Sequence, residues 1–109
     1  MLVATTELVA GREIAEVLGM VKGSSIRSRN FFQDVSEWLR NLAGAELNHY
    51  TKMMAEAREQ ALDRMTEDAR RIGADAVIGV RFATSGVAAG AAELMAYGTA
   101  VRLVAAVPA

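Results

Sequence analysis

Apolar residues recur along this chain with two different periods, and the change from one to the other separates strands from helices. Leu2 to Thr5 is a short apolar run that reads as an edge strand. After Gly11, the segment Ile14 to Lys22 alternates, with Ile14, Leu18 and Met20 on one side and Ala15, Val17 and Val21 on the other. Neither side is polar. Such alternation predicts a strand covered on both faces, whereas a small two-layer domain covers only one by itself. A second copy of the chain is the expected cover for the other face. Gly19 and Gly23 predict a bulge, a bend or a point where another backbone comes close, and Gly23-Ser24-Ser25 is expected to end the strand.

The period then lengthens. From Phe31 to Leu42 the residues Phe31, Phe32, Val35, Trp38, Leu39 and Leu42 fall three and four apart, one helical stripe that Asn30 or Asp34 would cap. Gly44 interrupts it. A second stripe follows in Met54, Ala57, Ala61, Met65, Ala69 and Ile72, with Lys52, Glu56, Glu59, Asp63, Arg64, Glu67 and Arg71 mostly elsewhere. A helix from about Glu46 to Ile72 would be about 40 Å long, and a ten-residue strand spans only about 33 Å, so one helix end is expected to overhang its sheet.

The next stretch, GADAVIGV, reads as the joint between helix and strand. Gly73 accepts the left-handed conformation that closes a helix, with Arg70 and Arg71 against the negative end of its dipole. Asp75 suits the connecting turn. Ala76 to Ala83 continues as a strand with Ile78, Val80 and Phe82 on one face and Gly79 opposite, where it leaves room for a neighbour. Ser85 to Ala92 reads as a connection rich in glycine and alanine. Leu94 to Val104 is the last strand, with Met95, Tyr97, Val101 and Leu103 facing one way and Ala96, Gly98 and Ala100 the other.

These elements predict an α+β fold: a two-layer β-α-β-β subunit, with a short strand in front, whose antiparallel sheet packs on a long helix. The 109 residues form a single domain, 1–109, large enough to fold without a disulfide or metal staple. Composition changes the picture in two respects. Hydrophobic residues make up 52% of the chain but aromatic residues only 6%, so much of the apolar content is small and suits close, flat packing. A net charge of -1, with acids and bases interleaved, gives no field for a polyanion, and nucleic acid is not an expected partner. No apolar stretch reaches the roughly 20 residues of a membrane span. The opening residues lack the basic start of an export signal, and with no cysteine in the chain the cytoplasm is the expected location.

Candidate chemistry is sparse. GADAVIGV has its glycines after a helix and before a strand, the reverse of a dinucleotide fingerprint. GMVKGSS and SGVAAGAA lack the residue order of a phosphate loop. His49 is the sole histidine, and with Glu46 it offers two metal ligands where a tight site takes three or four. No nucleophile elbow accompanies it, so no catalytic residue is assigned and the chain is not expected to be an enzyme. The groups that symmetry between copies would repeat are His49, Asp34, Asp75 and Arg81, which makes them the candidate ligand-binding residues at subunit boundaries. Neither a cofactor nor the identity of a small ligand or metal is specified by the sequence.

Several segments in order carry a resemblance: Thr5-Thr6, Gly11, GMVKG at 19–23, NFFQD at 30–34, AREQAL at 57–62, GADAVIGV at 73–80 and LMAYGTAV at 94–101. Together they resemble the YbjQ-like family of small uncharacterised proteins, often labelled heavy-metal-binding. The resemblance implies a dodecin-like subunit assembling as a pentameric ring through added short strands, and it supplies no catalytic residues. Relatives place acids just after the GADAVIGV-like strand, where this chain has Arg81, Phe82, Ala83 and Thr84. With no cysteine and one histidine, soft metals would find few ligands.

Overall fold

The structure, a computed structural model, describes residues 1–28, 44–88 and 91–105. Its elements run β1 (Leu2–Val3), β2 (Ile14–Ser28), α1 (Gly44–Arg71), β3 (Ala76–Ala88) and β4 (Ala91–Leu103). The helical stripe expected over 31–42 lies outside the described residues. The four strands form one sheet in the order β1-β3-β4-β2. β2 with β4 and β3 with β4 are antiparallel, but β1 pairs with β3 in parallel, Leu2 opposite Ala76 and Val3 opposite Val77, so the sheet is mixed rather than antiparallel.

The second helical stripe packs as its spacing requires. Ala57, Ala61, Met65 and Ala69 are each at most 1% exposed and meet Val21, Val77, Val80, Ala96 and Ala100 of the sheet. Ile72, counted in that stripe by period, lies past the last helical turn and is exposed. The C-terminal end closes as expected. Gly73 has φ +81, its N–H donates to the Arg70 carbonyl at 3.0 Å, and the Ala74 N–H donates to the Ala69 carbonyl at 3.1 Å. That pair of bonds is the Schellman arrangement, which satisfies carbonyls the helix would otherwise leave bare.

α1 begins at Gly44, two residues before the expected Glu46, and the strands are longer than their sequences suggest. β2 continues through Gly23-Ser24-Ser25 to Ser28, and β3 pairs with β4 as far as Ala88 opposite Ala91, where a loose connection was expected. Tertiary contacts explain the first case. At Gly23 a Cβ would lie 2.1 Å from the Met65 backbone nitrogen and 2.4 Å from the Ala61 carbonyl oxygen, so glycine lets the helix backbone rest on the strand. Ser25 is fully buried and its hydroxyl donates to Gln60 Oε1 at 2.9 Å. With 13 residues each, β3 and β4 are about 43 Å long, and the 28 residues of α1 span about 42 Å. The expected overhang is therefore absent on length.

Two bulges reassign faces. Register shifts fall between Ile14 and Glu16, Val17 and Gly19, Ile78 and Arg81, and Gly86 and Ala88, and the second and third of these carry φ +124 at Gly19 and +62 at Gly79. A bulge inserts one residue and flips the alternation beyond it. Leu18 and Val21 therefore share the helix side while Val17 and Met20 face away, which breaks the expected grouping of Leu18 with Met20. Ile78 likewise parts from Val80 and Phe82. Gly79 is needed for its backbone angle, since a Cβ there would touch nothing within 4 Å. The grouping of β4 residues stands, with Ala96 and Ala100 on the helix side and Val101 and Leu103 opposite.

Candidate functional site

The sheet face turned away from α1 is the surface where strands without a second layer would meet a partner. Register sets its side chains in rows across β2, β4 and β3: Met20, Thr99 and Ile78; then Lys22, Tyr97 and Arg81; then Ser24, Met95 and Ala83. One end of this face is covered by the chain itself. Residues 4–12 fold back over it, and Val9 packs with Ile14 and Leu103 on a small cluster of Ala76, Ile78 and Val101. Backbone bonds hold that segment: Ala4 N–H to the Val77 carbonyl at 2.9 Å, Gly79 N–H to Thr6 at 2.8 Å and Val80 N–H to Ala4 at 3.1 Å. Arg12 adds Nη2 to the Val104 carbonyl at 2.9 Å. Farther along β2 the outer face is bare, with Val17 64%, Met20 70% and Ile26 57% exposed.

Two of the sequence-derived candidates have described side chains, and each is bonded to backbone. Arg81 donates from Nη1 to the Thr5 carbonyl at 3.0 Å and to the Val80 carbonyl at 2.8 Å, tying the N-terminal segment to β3. Asp75 accepts the Leu103 N–H on Oδ2 at 2.9 Å, and its own N–H donates to the Val101 carbonyl at 2.9 Å. It pins the end of β4 to the start of β3, the work a turn acid does. His49 falls in the N-terminal part of α1 with its side chain outside the described part, and Asp34 lies outside the described residues altogether. Among the described residues no group of three or more His, Cys, Asp and Glu is placed to hold a metal ion.

The row formed by Lys22, Tyr97 and Arg81 went unseen in the sequence. Tyr97 sits directly opposite a cation on each neighbouring strand, at the spacing where cross-strand side chains interact. Two exposed positive charges beside a half-buried ring suit an anion that carries an apolar or aromatic body. A second charged region, an open depression of about 470 Å³ on α1, is lined by Arg64, Glu67, Asp68, Arg70 and Arg71. Its charges pair locally, Arg70 with Glu67 at 3.6 Å and Arg71 with Asp68, so little is left over to recognise a ligand.

Comparison with known proteins agrees with this architecture. A family model described as "Putative heavy-metal-binding" matches residues 1–104. A UPF0145 protein of Methanosarcina acetivorans is 53% identical over 103 residues, covering 94% of this chain and 97% of that relative. A UPF0145 protein of Thermus thermophilus is 57% identical over 102 residues, covering 94% of this chain and 90% of the relative. A solved structure from Pediococcus pentosaceus, of unknown function and assigned to the DUF74 family, superposes with a TM-score of 0.59 at 19% identity, covering 95% of this chain and 98% of its own. At that identity the likeness speaks to the fold. No catalytic function is named in any of these descriptions.

Proposed function

We propose, from the premise that the chain belongs to the uncharacterised YbjQ family, that it is a cytoplasmic, non-catalytic building block which assembles with its own copies into a dodecin-like pentameric ring and acts as a binding or scaffold protein. The observation that carries this reading is the bare outer stripe of β2, where Val17, Met20 and Ile26 all remain more than half exposed. Fully burying a side chain of this kind contributes roughly 1.5–3 kcal/mol, and a copy of the chain is always at hand to do it. The subunit is also drawn out. Its radius of gyration is 17.3 Å, with extents of 56 × 31 × 19 Å, whereas a compact chain of this length has about 13 Å. The ring number follows the family resemblance. Neither nucleic acid nor membrane is a partner in this reading, since the net charge is -1 and no described helix is long and apolar enough to cross a bilayer. Light scattering tests it: the expected mass is five times that of the chain, and a stable monomer at micromolar concentration overturns it.

A second reading, a small ligand or metal held between subunits, is favoured by the basic and aromatic row of Lys22, Tyr97 and Arg81 on the same face. Asp34, His49 and Asp75 are the further donors that symmetry would repeat, and the family's metal label points the same way. Native mass spectrometry after exposure to zinc or to inorganic phosphate distinguishes the two ligands. Loss of zinc in His49→Ala, or of phosphate in Arg81→Ala, supports a site between copies, and retention in both variants removes those residues from it.

A further inference from the structure

The register of the outer face sets two cations beside one ring, Lys22 and Arg81 opposite Tyr97 on its two neighbouring strands. Two strand spacings, about 10 Å, separate the backbones that carry the cations. Both cations are exposed and the ring between them is half-buried. The rows on either side, through Thr99 and through Met95, carry no charge. The first acid of β4 on this face is Glu93, four residues from Tyr97 and so about 13 Å away along the strand. Among the described residues no carboxylate pairs with Lys22 or Arg81. The arginines of the depression on α1 differ, since Arg70 and Arg71 are each matched to an acid.

Arg81 is held in place before any ligand arrives. A guanidinium has five N–H donors, and the two on Nη1 serve the Thr5 carbonyl at 3.0 Å and the Val80 carbonyl at 2.8 Å. The parallel N–H groups of Nε and Nη2 remain, and that edge is a fork able to hold a carboxylate by two bonds. A side chain already tied at its other end loses less freedom on binding than one moving in solvent. Lys22 offers no fork and adds a mobile point charge on the far side of the ring.

We propose that this row binds a small aromatic acid. One carboxylate sits on the Nε and Nη2 edge of Arg81, the planar body lies on the Tyr97 ring, and a second acidic group beyond the body reaches Lys22. Charge selects the class, because two cations without acidic partners call for an anion. The ring selects the body, because a flat aromatic group stacks on an open sheet face without needing walls around it. A nucleic acid is not matched by two cations on a chain whose net charge is -1. All three side chains belong to one chain, so these contacts need no second copy. The inference deepens the second reading above and rests on its placement of a ligand on this face.

Calorimetric titration at low salt tests it with four probes: benzene-1,4-dicarboxylate, trans-cyclohexane-1,4-dicarboxylate, benzoate and inorganic phosphate. The wild type is expected to bind the aromatic dicarboxylate about tenfold tighter than its cyclohexane counterpart. Tyr97→Leu should erase that preference. Arg81→Lys, which keeps the charge and removes the fork, should weaken both dicarboxylates, and Lys22→Gln should bring the aromatic dicarboxylate down to the affinity of benzoate. Equal affinity for the two dicarboxylates in the wild type, or unaltered binding in Arg81→Lys, overturns the inference. Phosphate bound without either dicarboxylate also overturns it and leaves an anion site of the second reading standing. No binding of any probe removes the row from both. Should Tyr97→Leu fail to fold, the two dicarboxylates on the wild type still decide the role of the ring.

Discussion

The two faces of the sheet are built from different residues for different neighbours. Toward α1 the sheet presents Gly23, Ala96 and Ala100 beside Val21, Val77 and Val80, and at Gly23 the helix backbone sits directly on β2. The face opposite presents Val17, Met20, Tyr97 and Met95, larger groups that α1 never reaches. Small residues allow a rigid element to approach closely and leave no gaps, but they bury little area each, so they suit a contact fixed once during folding. Larger groups left in water suit a contact made afterwards between folded units. The faces should accordingly respond to substitution in opposite ways, the inner one through stability and the outer one through mass.

The largest expected effect tests the inner face. Gly23→Val would drive a side chain into the Met65 nitrogen and the Ala61 carbonyl oxygen. These are backbone atoms of one helix and cannot rotate aside, so α1 must lift from β2. Loss of more than about 3 kcal/mol is expected, beyond the usual cost of overpacking, with unfolding in urea as the measurement. Retention of wild-type stability would mean that the helix does not rest on β2. Gly73→Ala should cost less, about 1–2 kcal/mol, because it forces a left-handed backbone angle on a residue with a Cβ. The nearest neighbour there is the end of the Arg102 side chain, which can move. Thermal unfolding of the two variants side by side separates a packing role for glycine from a conformational one.

How far the sequence foretold these faces depends on what each signal requires. The stripe of Ala57, Ala61, Met65 and Ala69 was legible because helical period is a property of one segment, and Gly73 was legible because a helix cap is local. The division of β4 into two faces was legible because its pairing runs without a bulge of its own. The faces of β2 and β3 were not, since the extra residue at Gly19 or Gly79 is defined only against the partner strand. Reading strict alternation through Gly19 put Met20 with Leu18 and hid the exposed stripe. Gly23-Ser24-Ser25 resembled a turn for a similar reason: the helix backbone that demands Gly23 and the Gln60 that bonds Ser25 lie more than thirty residues away in sequence. Of the candidate site, Asp75 and Arg81 stand out in the sequence, but their backbone partners do not, because those lie on other segments of the chain. The Lys22, Tyr97 and Arg81 row depends wholly on register.

An edge of the sheet extends the comparison. At the margin of β2, Asp68 Oδ2 accepts the Lys22 N–H and Arg64 Nη1 donates to the Ser24 carbonyl; Arg64→Ala combined with Asp68→Ala removes an exposed arginine and a half-buried aspartate and should change stability by about 1 kcal/mol. Its effect should appear in association. With the Lys22 N–H and the Ser24 carbonyl released, β2 becomes an open template for another strand, and species larger than the wild-type assembly are expected in analytical ultracentrifugation. An unchanged size distribution would show that the two side chains do not protect that edge.

The smallest effect on folding should accompany the most informative change in mass. Met20 is 70% exposed in the single chain and faces away from α1, so Met20→Asp removes little that the folded subunit uses. Its unfolding free energy is expected to stay within about 0.5 kcal/mol of the wild type under conditions where both are dissociated. At micromolar concentration the same variant should elute as a smaller species than the wild type, because a carboxylate buried against an apolar neighbour without a partner is heavily penalised. The same substitution made at Val21, one residue on but under the helix and only 1% exposed, should instead unfold the chain. If Met20→Asp and Val21→Asp lowered stability alike, the outer face would be a second core. If neither altered the mass, the exposed stripe of β2 would not be where copies of this chain meet.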